Sequence, residues 1–193
     1  MNAAPVTGTD RELLRATLAG DESAFLEIYR RHRDRVFRFA YRMTGSPEAA
    51  RDVTHSCFAS LLEGPSRYDA QRASLGTYLC AAARNLSLRH ASRAWRERPV
   101  ADVAERQRTE AASPLEILLE DERARLVREA LSALAPLHRE VLILAEYEDL
   151  ELSRIAEIVG AEVGAVKVRL HRARKKLRAA LEAHTRSGAL LVK

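Results

Sequence analysis

Residues 150–178 read LELSRIAEIVGAEVGAVKVRLHRARKKLR and contain the clearest structural signal in the chain. The first part places apolar residues at helical spacing and ends at Gly160, a residue that stops helices because it adopts a left-handed conformation without a Cβ clash. The second part repeats apolar residues at three- and four-residue steps, among them Val166, Leu170 and Leu177. This pattern predicts two short helices joined by a glycine turn, which is typical of a helix-turn-helix.

The second helix of this pair is strongly basic. Residues 163–193 contain 9 bases and 1 acid, whereas residues 115–162 contain 12 acids and 5 bases. Positive charge concentrated on one helix favours neutralisation of nucleic-acid phosphates, which a uniform excess of charge would not indicate. For an isolated basic helix, a solvated surface would be the simpler interpretation. The glycine turn and the preceding helix favour DNA binding instead.

Composition indicates a helical globular protein in a reducing compartment. Hydrophobic residues make up 47% of the chain and charged residues 31%, a balance that suits a folded chain better than a disordered one. Cys57 and Cys80 lie in helical apolar patterns without a Cys-x-x-Cys pair, which indicates buried free thiols and leaves open whether they sense redox state. No membrane-length apolar run or signal peptide is evident, so we expect a cytoplasmic protein without membrane insertion.

Apolar periodicity predicts further helices on both sides of a charged segment. Before it, the pattern predicts a short helix capped by Asp10, a long helix over 22–43, a helix that starts at Ser46-Pro47, and a fourth helix capped by Ser74. Periodicity then fails, and a helix that resumes at Pro114 is interrupted at Pro136. The predicted fold is all-α, with two small helical domains joined by a flexible linker, the second a helix-turn-helix. The predicted parts are a lead segment at 1–19, a domain at 20–94, the linker at 95–114, a domain at 115–184 and a tail at 185–193.

Five motifs, spread over both predicted domains, carry a resemblance to a known family. In order and spacing they resemble the extracytoplasmic-function group of the sigma-70 family, although no single motif decides it. The resemblance covers about 20–92 and 116–183. The motifs are Gly20-Asp-Glu-Ser-Ala-Phe-Leu-Glu-Ile-Tyr-Arg-Arg31, Ala50-Arg-Asp-Val-Thr54, Ala83-Arg-Asn-Leu-Ser-Leu88, Leu131-Ser-Ala-Leu-Ala-Pro-Leu-His-Arg-Glu-Val141 and Gly164-Ala-Val-Lys-Val-Arg-Leu-His-Arg-Ala-Arg174.

The resemblance implies a non-enzymatic transcription initiation factor that uses no cofactor. Such a protein binds core RNA polymerase and directs it to promoter DNA. The first domain would grip the polymerase clamp and open the minus-ten element, the second would read the minus-35 element as duplex, and the linker would run towards the polymerase active cleft. The resemblance also leaves room for an anti-sigma factor as an inhibitory partner, which the sequence does not identify.

The basic helix supplies most of the predicted minus-35 contacts. Its exposed face lies opposite the apolar stripe, so Lys167, His171 and Arg172 are placed to reach base edges while neighbouring cations face phosphates. Val168 stands where the family often has serine, which suggests contact with a thymine methyl group. Ser153 and Arg154 begin the first helix, where contact with phosphate competes with simple helix capping. The predicted minus-35 residues are Ser153, Arg154, Lys167, Val168, Arg169, His171, Arg172, Arg174 and Lys175.

The resemblance also assigns residues in the first domain. A polar loop and the helix after it would trap a flipped base and hold the displaced strand, because single strands are read by edge contacts and stacking in a basic groove. The alternative is that Tyr68 packs on its own loop and that Asn85 caps a helix or bonds within the core. The predicted minus-ten residues are Arg67, Tyr68, Gln71, Arg72, Arg84, Asn85 and Arg89.

The predicted core polymerase contacts lie on the third helix. The family often has glutamine and glutamate where this chain has His55 and Ser56, which puts individual contacts in doubt. Asp52 would equally suit an exposed helix charge, and Phe58, Leu61 and Leu62 are predicted to be core. The predicted contacts are Arg51, Asp52, His55, Ser56 and Ser60.

Two other classes of protein compete with this interpretation. A regulator that binds an operator without polymerase would also carry a helix-turn-helix, with the N-terminal helices then serving dimerisation or ligand binding. A helical enzyme is disfavoured because the chain lacks a phosphate-binding glycine loop, a paired-acid motif and metal-ligand spacing. His55 and Cys57 lie two positions apart on a helix, which is a poor arrangement for zinc, so no metal site is predicted.

Overall fold

A computed structural model of the chain describes residues 8–63, 68–71, 73–96 and 122–189, with side chains described to residue 90 and again over 124–183. These residues form eight α-helices and no strand, which confirms the all-α fold class. The helices, numbered here in chain order, are α1 (Asp10–Leu18), α2 (Glu22–Thr44), α3 (Pro47–Glu63), α4 (Leu75–Arg96), α5 (Glu122–Ser132), α6 (Pro136–Glu146), α7 (Leu152–Val159) and α8 (Val163–Ala189).

The chain divides into two compact units. The first is Met1–Tyr41 with Glu48–Ser87, and the second is Arg42–Pro47 with Leu88–Lys193. Most of the predicted linker falls outside the described residues, so the domain boundaries stay a prediction. Two helices extend past the predicted boundaries. Helix α4 continues to Arg96, into the predicted linker, and α8 continues to Ala189, into the segment predicted as a tail. No proline lies between 183 and 189 to end that helix.

The helix starts follow local capping chemistry. Asp10 was predicted to cap α1, and that prediction is wrong, because Thr9 is the cap. Thr9 Oγ1 accepts a hydrogen bond from the backbone N–H of Glu12 at 3.3 Å, and Glu12 Oε2 accepts one from the N–H of Thr9 at 2.8 Å. This reciprocal pair is a capping box, which the Thr-x-x-Glu spacing encodes. The predicted Ser74 cap is confirmed, since its Oγ accepts from the N–H of Thr77 at 3.2 Å.

The core of the first unit lies between α2, α3 and α4. An aromatic cluster joins two of these helices, because the Phe58 ring lies edge-on to Phe25 and Tyr29, with centroids 6.4 Å and 4.8 Å away. Phe58 and Leu61 are buried as predicted. Leu62 was also predicted to be core, but 43% of it is exposed, so that prediction is wrong. The α3 stripe that faces the core passes through Phe58 and Leu61 and leaves Leu62 on its edge.

Both cysteines are buried in this core, as predicted. Burial raises the pKa of the Cys57 thiol to about 12, and Cys80 is 0% exposed. Since the thiolate is the reactive form, we expect the folded protein to resist alkylation at pH ~8. Titration with an aromatic disulfide reagent should find almost no thiol in the native protein and both thiols in urea. Rapid native reaction at either cysteine would contradict this and reopen a redox role.

The core of the second unit is organised around α6. Consecutive residues Arg139 to Leu144 are all buried, so this helix is enclosed on every side. Helix α7 ends at Gly160, which has φ 65° and ψ 46° and whose N–H bonds to the Ala156 carbonyl. The glycine turn is therefore confirmed. A side chain there would be strained, because L residues rarely adopt this conformation. In the part of the chain that is described, no helix has both the length and the apolar character needed to cross a membrane.

Candidate nucleic-acid interface

The exposed face of α8 brings together five of the predicted minus-35 residues. On the inner side, Val166, Leu170 and Ala173 are buried at 0%, 5% and 0% exposure. These three positions follow helical spacing, so the side chains between them point outward. Half of Val168 is exposed, which makes it an apolar group on a basic surface. The exposed face consists of Lys167, Val168, His171, Arg172 and Lys175.

Three other predicted residues are engaged by acids of the same unit. Arg169 Nη1 lies 3.5 Å from Glu140 Oε1, and Arg174 donates to Glu146 Oε1 from Nε at 2.8 Å and from Nη2 at 2.5 Å. Arg154 pairs with Glu157 within α7. The first two pairs connect residues 29 and 28 positions apart, so helical periodicity could not reveal them. The sequence indicates these acids only as part of a segment with net negative charge.

Ser153 lies on the surface of α7 and does not cap it. The N-cap is Glu151, which makes no side-chain capping hydrogen bond. Ser153 is exposed in the first turn of the helix. Of the two alternatives for Ser153, capping is therefore excluded, and contact with a phosphate stays a prediction.

His138 is a residue at this interface that sequence reasoning missed. It lines a shallow groove between α6 and α8, together with Leu137, Gly164 and Val168. Its Nδ1 is buried without a hydrogen-bond partner among the described residues. Burial lowers the pKa of His138, and the positive charges of Lys176, Arg169 and Arg172 lower it further. The ring is therefore neutral at physiological pH, although a basic surface surrounds it.

The lowered pKa of His138 predicts a loss of stability in mild acid. The folded-state pKa of His138 lies below the ordinary histidine value of 6.5, so the unfolded chain takes up a proton at a higher pH than the folded chain does. The free energy of unfolding therefore decreases as the pH is lowered through this range. The variant His138→Asn should show a shallower fall in the urea midpoint between about pH 7.5 and pH 5. His171→Asn, at an exposed position of α8, is the control. Identical pH profiles for His138→Asn and the parent protein would contradict the assignment.

The predicted minus-ten residues are only partly described. Arg67 and Arg72 lie outside the described residues. Tyr68 is half-buried, with its ring centroid 5.3 Å from that of Tyr78, and burial is the main cause that raises its pKa. Tyr68 thus packs against Tyr78 of α4 and not only on its own loop. It stays partly exposed, and its contact with DNA stays a prediction.

The α4 residues of this predicted site lie on an accessible surface. Asn85 and Arg89 are exposed, and Arg84 Nη1 donates to Asn85 Oδ1 at 2.8 Å. The core alternative for Asn85 is thus excluded. In the preceding loop, Gln71 is exposed, and its N–H donates to Asp69 Oδ1 at 2.8 Å. These accessible amide and guanidinium groups suit edge contacts with bases.

The predicted polymerase contacts share the outer side of α3. Arg51, Asp52, His55 and Ser56 are exposed, whereas Ser60 is half-buried and donates from Oγ to the Cys57 carbonyl at 2.9 Å. Leu62, found exposed, lies seven residues after His55, which is two helical turns along the same face. The face therefore ends in an apolar side chain that the apolar pattern had assigned to the core. Among the described residues, no group of three or more His, Cys, Asp or Glu side chains is placed to hold a metal ion.

Two family models match this chain. The model of sigma-70 region 2 matches residues 28–97, and the model of sigma-70 region 4 matches residues 124–177. The first match covers most of α2, α3 and α4, and the second covers α5 to α7 and the first half of α8.

Curated relatives match across both regions. RNA polymerase sigma factor CarQ of Myxococcus xanthus is 32% identical, with 82% of this chain and 90% of the relative covered. ECF RNA polymerase sigma factor SigE of Mycolicibacterium smegmatis is 30% identical over 86% of this chain and 66% of the relative. ECF RNA polymerase sigma factor SigW of Bacillus subtilis is 27% identical over 82% of this chain and 89% of the relative. The chain thus spans about two thirds of SigE and nearly the whole of the other two.

Solved structures share the fold. Sigma factor RpoE of Bartonella quintana, in complex with the anti-sigma factor NepR, matches with a TM-score of 0.60 and 20% identity over 82% of this chain and 96% of that one. CnrH, in complex with the cytosolic domain of CnrY, matches with a TM-score of 0.61 and 23% identity over 90% of this chain and 97% of that one. At these identities the likeness is one of fold.

Proposed function

This chain belongs to the extracytoplasmic-function group of the sigma-70 family of RNA polymerase sigma factors, and on that premise we propose how its residues divide the work of promoter recognition. Helices α5–α8 read the minus-35 element as duplex DNA, and helices α2–α4 bind core polymerase and open the minus-ten element. The protein acts in the cytoplasm by binding alone, so it delivers the polymerase and melts DNA without covalent chemistry of its own.

The arrangement of α8 carries the minus-35 part of the proposal. A helix-turn-helix places the start of its second helix in the major groove, where base edges differ in their hydrogen-bond groups. Lys167 and Arg172 are exposed there and can donate to guanine O6 and N7. Val168, half exposed, suits contact with a thymine methyl group. Lys175 and Arg174, further along α8, neutralise phosphates that position the helix.

The minus-ten part rests on the accessible polar groups of the loop and α4. The Gln71 and Asn85 amides present donors and acceptors to a splayed base, and the Arg84 and Arg89 guanidinium groups neutralise the displaced strand. The half-buried Tyr68 ring offers a stacking surface at the same loop. Strand opening then uses binding energy released when unpaired bases meet these groups.

Polymerase binding is assigned to the outer face of α3. Exposed Arg51, Asp52 and His55 supply polar contacts, and Leu62 adds an apolar one. Protein interfaces combine apolar contacts in their core with polar contacts at the rim, so an exposed leucine beside polar groups suits such a surface. An anti-sigma factor is also part of the proposal, since the RpoE chain of similar fold was solved with one.

Reconstituted transcription tests this function. Purified protein, core RNA polymerase and fragments of the source genome should together yield transcripts with discrete start sites, and core polymerase alone should not. Alignment of the mapped start sites should then reveal shared minus-35 and minus-ten sequences. A gel-shift assay provides the counter-test. Tight, specific DNA binding by the protein alone, unchanged by core polymerase, would indicate an operator-binding regulator instead.

A further inference from the structure

We infer that two acids of α6 tune the DNA affinity of α8 in opposite directions. Glu140 is a positioning residue that orients Arg169 for DNA, and Glu146 is an anion that competes with DNA phosphate for Arg174. The inference rests on the proposed function only in that α8 binds duplex DNA. The two pairs link the same two helices, yet they differ in burial, and burial determines what each acid does.

Glu140 is enclosed in the core of the second unit. Its exposure is 0%, although it is an acid in the middle of the central helix. A buried carboxylate is tolerated when cations and hydrogen bonds satisfy it, because removal from water is otherwise very costly. Arg169 reaches it from α8, with Nη1 3.5 Å from Oε1 and a side-chain exposure of 28%. Glu140 therefore anchors the Arg169 guanidinium to the interior.

Arg169 stands at the boundary between the core and the exposed face of α8. It directly precedes Leu170, which is 5% exposed, and follows Val168, which is half exposed. A guanidinium has five N–H donors in a fixed planar arrangement, and the contact with one Glu140 oxygen engages only part of them. The remaining edge can meet a phosphate at the margin of the major groove. Because the pair already orders this long side chain, DNA binding loses less conformational entropy.

Glu146 differs because its ion pair is exposed. Glu146 is 43% exposed and Arg174 is 59% exposed. Solvent screens such a pair, so it contributes little to stability and exchanges readily. A phosphate that approaches Arg174 must displace the Glu146 carboxylate or accept repulsion from it. Glu146 therefore lowers the affinity of α8 for DNA.

The two acids can be distinguished by the sign of their effects. Replacement of either acid with glutamine adds one unit of positive charge to a DNA-binding surface, and charge alone would raise affinity in both cases. Positioning by Glu140 predicts the opposite sign at that residue. If Glu140→Gln lowers the affinity for DNA while Glu146→Gln raises it, the change in net charge cannot explain both results, because it is the same in the two variants.

Fluorescence anisotropy of the full chain with a labelled duplex of random sequence, about three helical turns long, tests the inference. Across a salt series, Glu146→Gln should bind about two- to fivefold more tightly, and Glu140→Gln about fivefold more weakly. Glu140→Gln should also lower the slope of log Kd against log salt by about one phosphate contact. Arg169→Gln should show the same slope change, and the double variant Glu140→Gln with Arg169→Gln should lose nothing further.

Several outcomes would overturn the inference. Equal or tighter binding by Glu140→Gln removes the positioning role, and equal or weaker binding by Glu146→Gln removes the competing role. If circular dichroism shows that Glu140→Gln does not fold, Arg169→Gln decides, since an unchanged salt slope means that Arg169 makes no phosphate contact. Absence of duplex binding by the parent protein at low salt would refute the premise. The assay contains no polymerase, so failure of the transcription test above remains a separate result.

Discussion

Replacement of Arg172 with alanine should lower transcription from promoters that depend on the minus-35 element by roughly tenfold to a hundredfold. A side chain that donates to guanine contributes about 1–3 kcal/mol of discrimination, and each 1.4 kcal/mol corresponds to about tenfold in affinity. Arg172 is exposed on the outer face of α8, five residues after Lys167. Among the residues that the structure describes, no carboxylate forms a salt bridge with it, in contrast to Arg169 and Arg174.

Run-off transcription on the mapped promoters measures this effect, and co-purification with core polymerase measures binding separately. Arg172→Ala should leave co-purification unchanged, because the predicted polymerase contacts lie on α3. Arg178→Ala is the matched control, since it removes the same charge from an exposed position further along α8. An equal loss for both variants would mean that only net charge matters. Loss of polymerase binding together with transcription would contradict the role assigned to Arg172.

Replacement of Arg139 with alanine should destabilise the second unit by about 3–5 kcal/mol, because several buried carbonyls lose a donor at a cost of about 1–3 kcal/mol each. Arg139 is 4% exposed and donates to four backbone carbonyls: from Nε to Leu131 at 2.8 Å, from Nη2 to Ser132 at 2.6 Å and to Leu134 at 3.0 Å, and from Nη1 to Met43. The Leu131, Ser132 and Leu134 carbonyls lie at the end of α5 and in the turn that follows, where helical N–H donors run out. The Leu131 carbonyl also accepts a hydrogen bond from the N–H of Leu134 at 3.1 Å. Alanine leaves both a cavity and polar groups without their donor.

Urea unfolding followed by circular dichroism measures the loss of stability. Arg139→Lys keeps the charge but lacks the planar arrangement of donors, so we expect an intermediate loss. Lys175→Ala, on the exposed face of α8, should change the free energy of unfolding by less than about 0.5 kcal/mol. A loss below about 1 kcal/mol for Arg139→Ala would show that water replaces the guanidinium, and that the α5–α6 turn does not depend on it.

The two predictions concern two arginines, Arg172 and Arg139, and the sequence predicts a role for only the first of them. Arg172 was assigned to DNA from its position opposite an apolar stripe, and the structure does place it on an exposed face. Arg139 belongs to one of the motifs that carry the family resemblance, and its position in the sequence predicts no individual role. A buried arginine leaves no periodic signal, because its donors are satisfied by carbonyls that only the fold brings to it, here in the α5–α6 turn and at Met43.

Helix-level features were predictable because their causes are local. Gly160 ends α7, Ser74 caps α4 and Pro136 begins α6, each through contacts within a few residues. The one wrong cap, Asp10, lost to Thr9, whose partner Glu12 is three residues away. The Thr-x-x-Glu spacing is local, so the sequence alone is sufficient to identify this capping box. Leu62 was misplaced for a different reason, since periodicity defines the direction of an apolar stripe but not how far its neighbours cover it.

What the sequence determined by itself was the succession of helices, the glycine turn and the side of α8 that faces outward. Only the tertiary structure decided which cations of that side meet acids, because Glu140 and Glu146 are brought to Arg169 and Arg174 by the packing of α6 against α8. Both pairs consist of a glutamate and an arginine, and they differ in how deeply the glutamate is buried. Glu140, at 0% exposure, must keep its cation, whereas Glu146, at 43%, can exchange its own with water or phosphate.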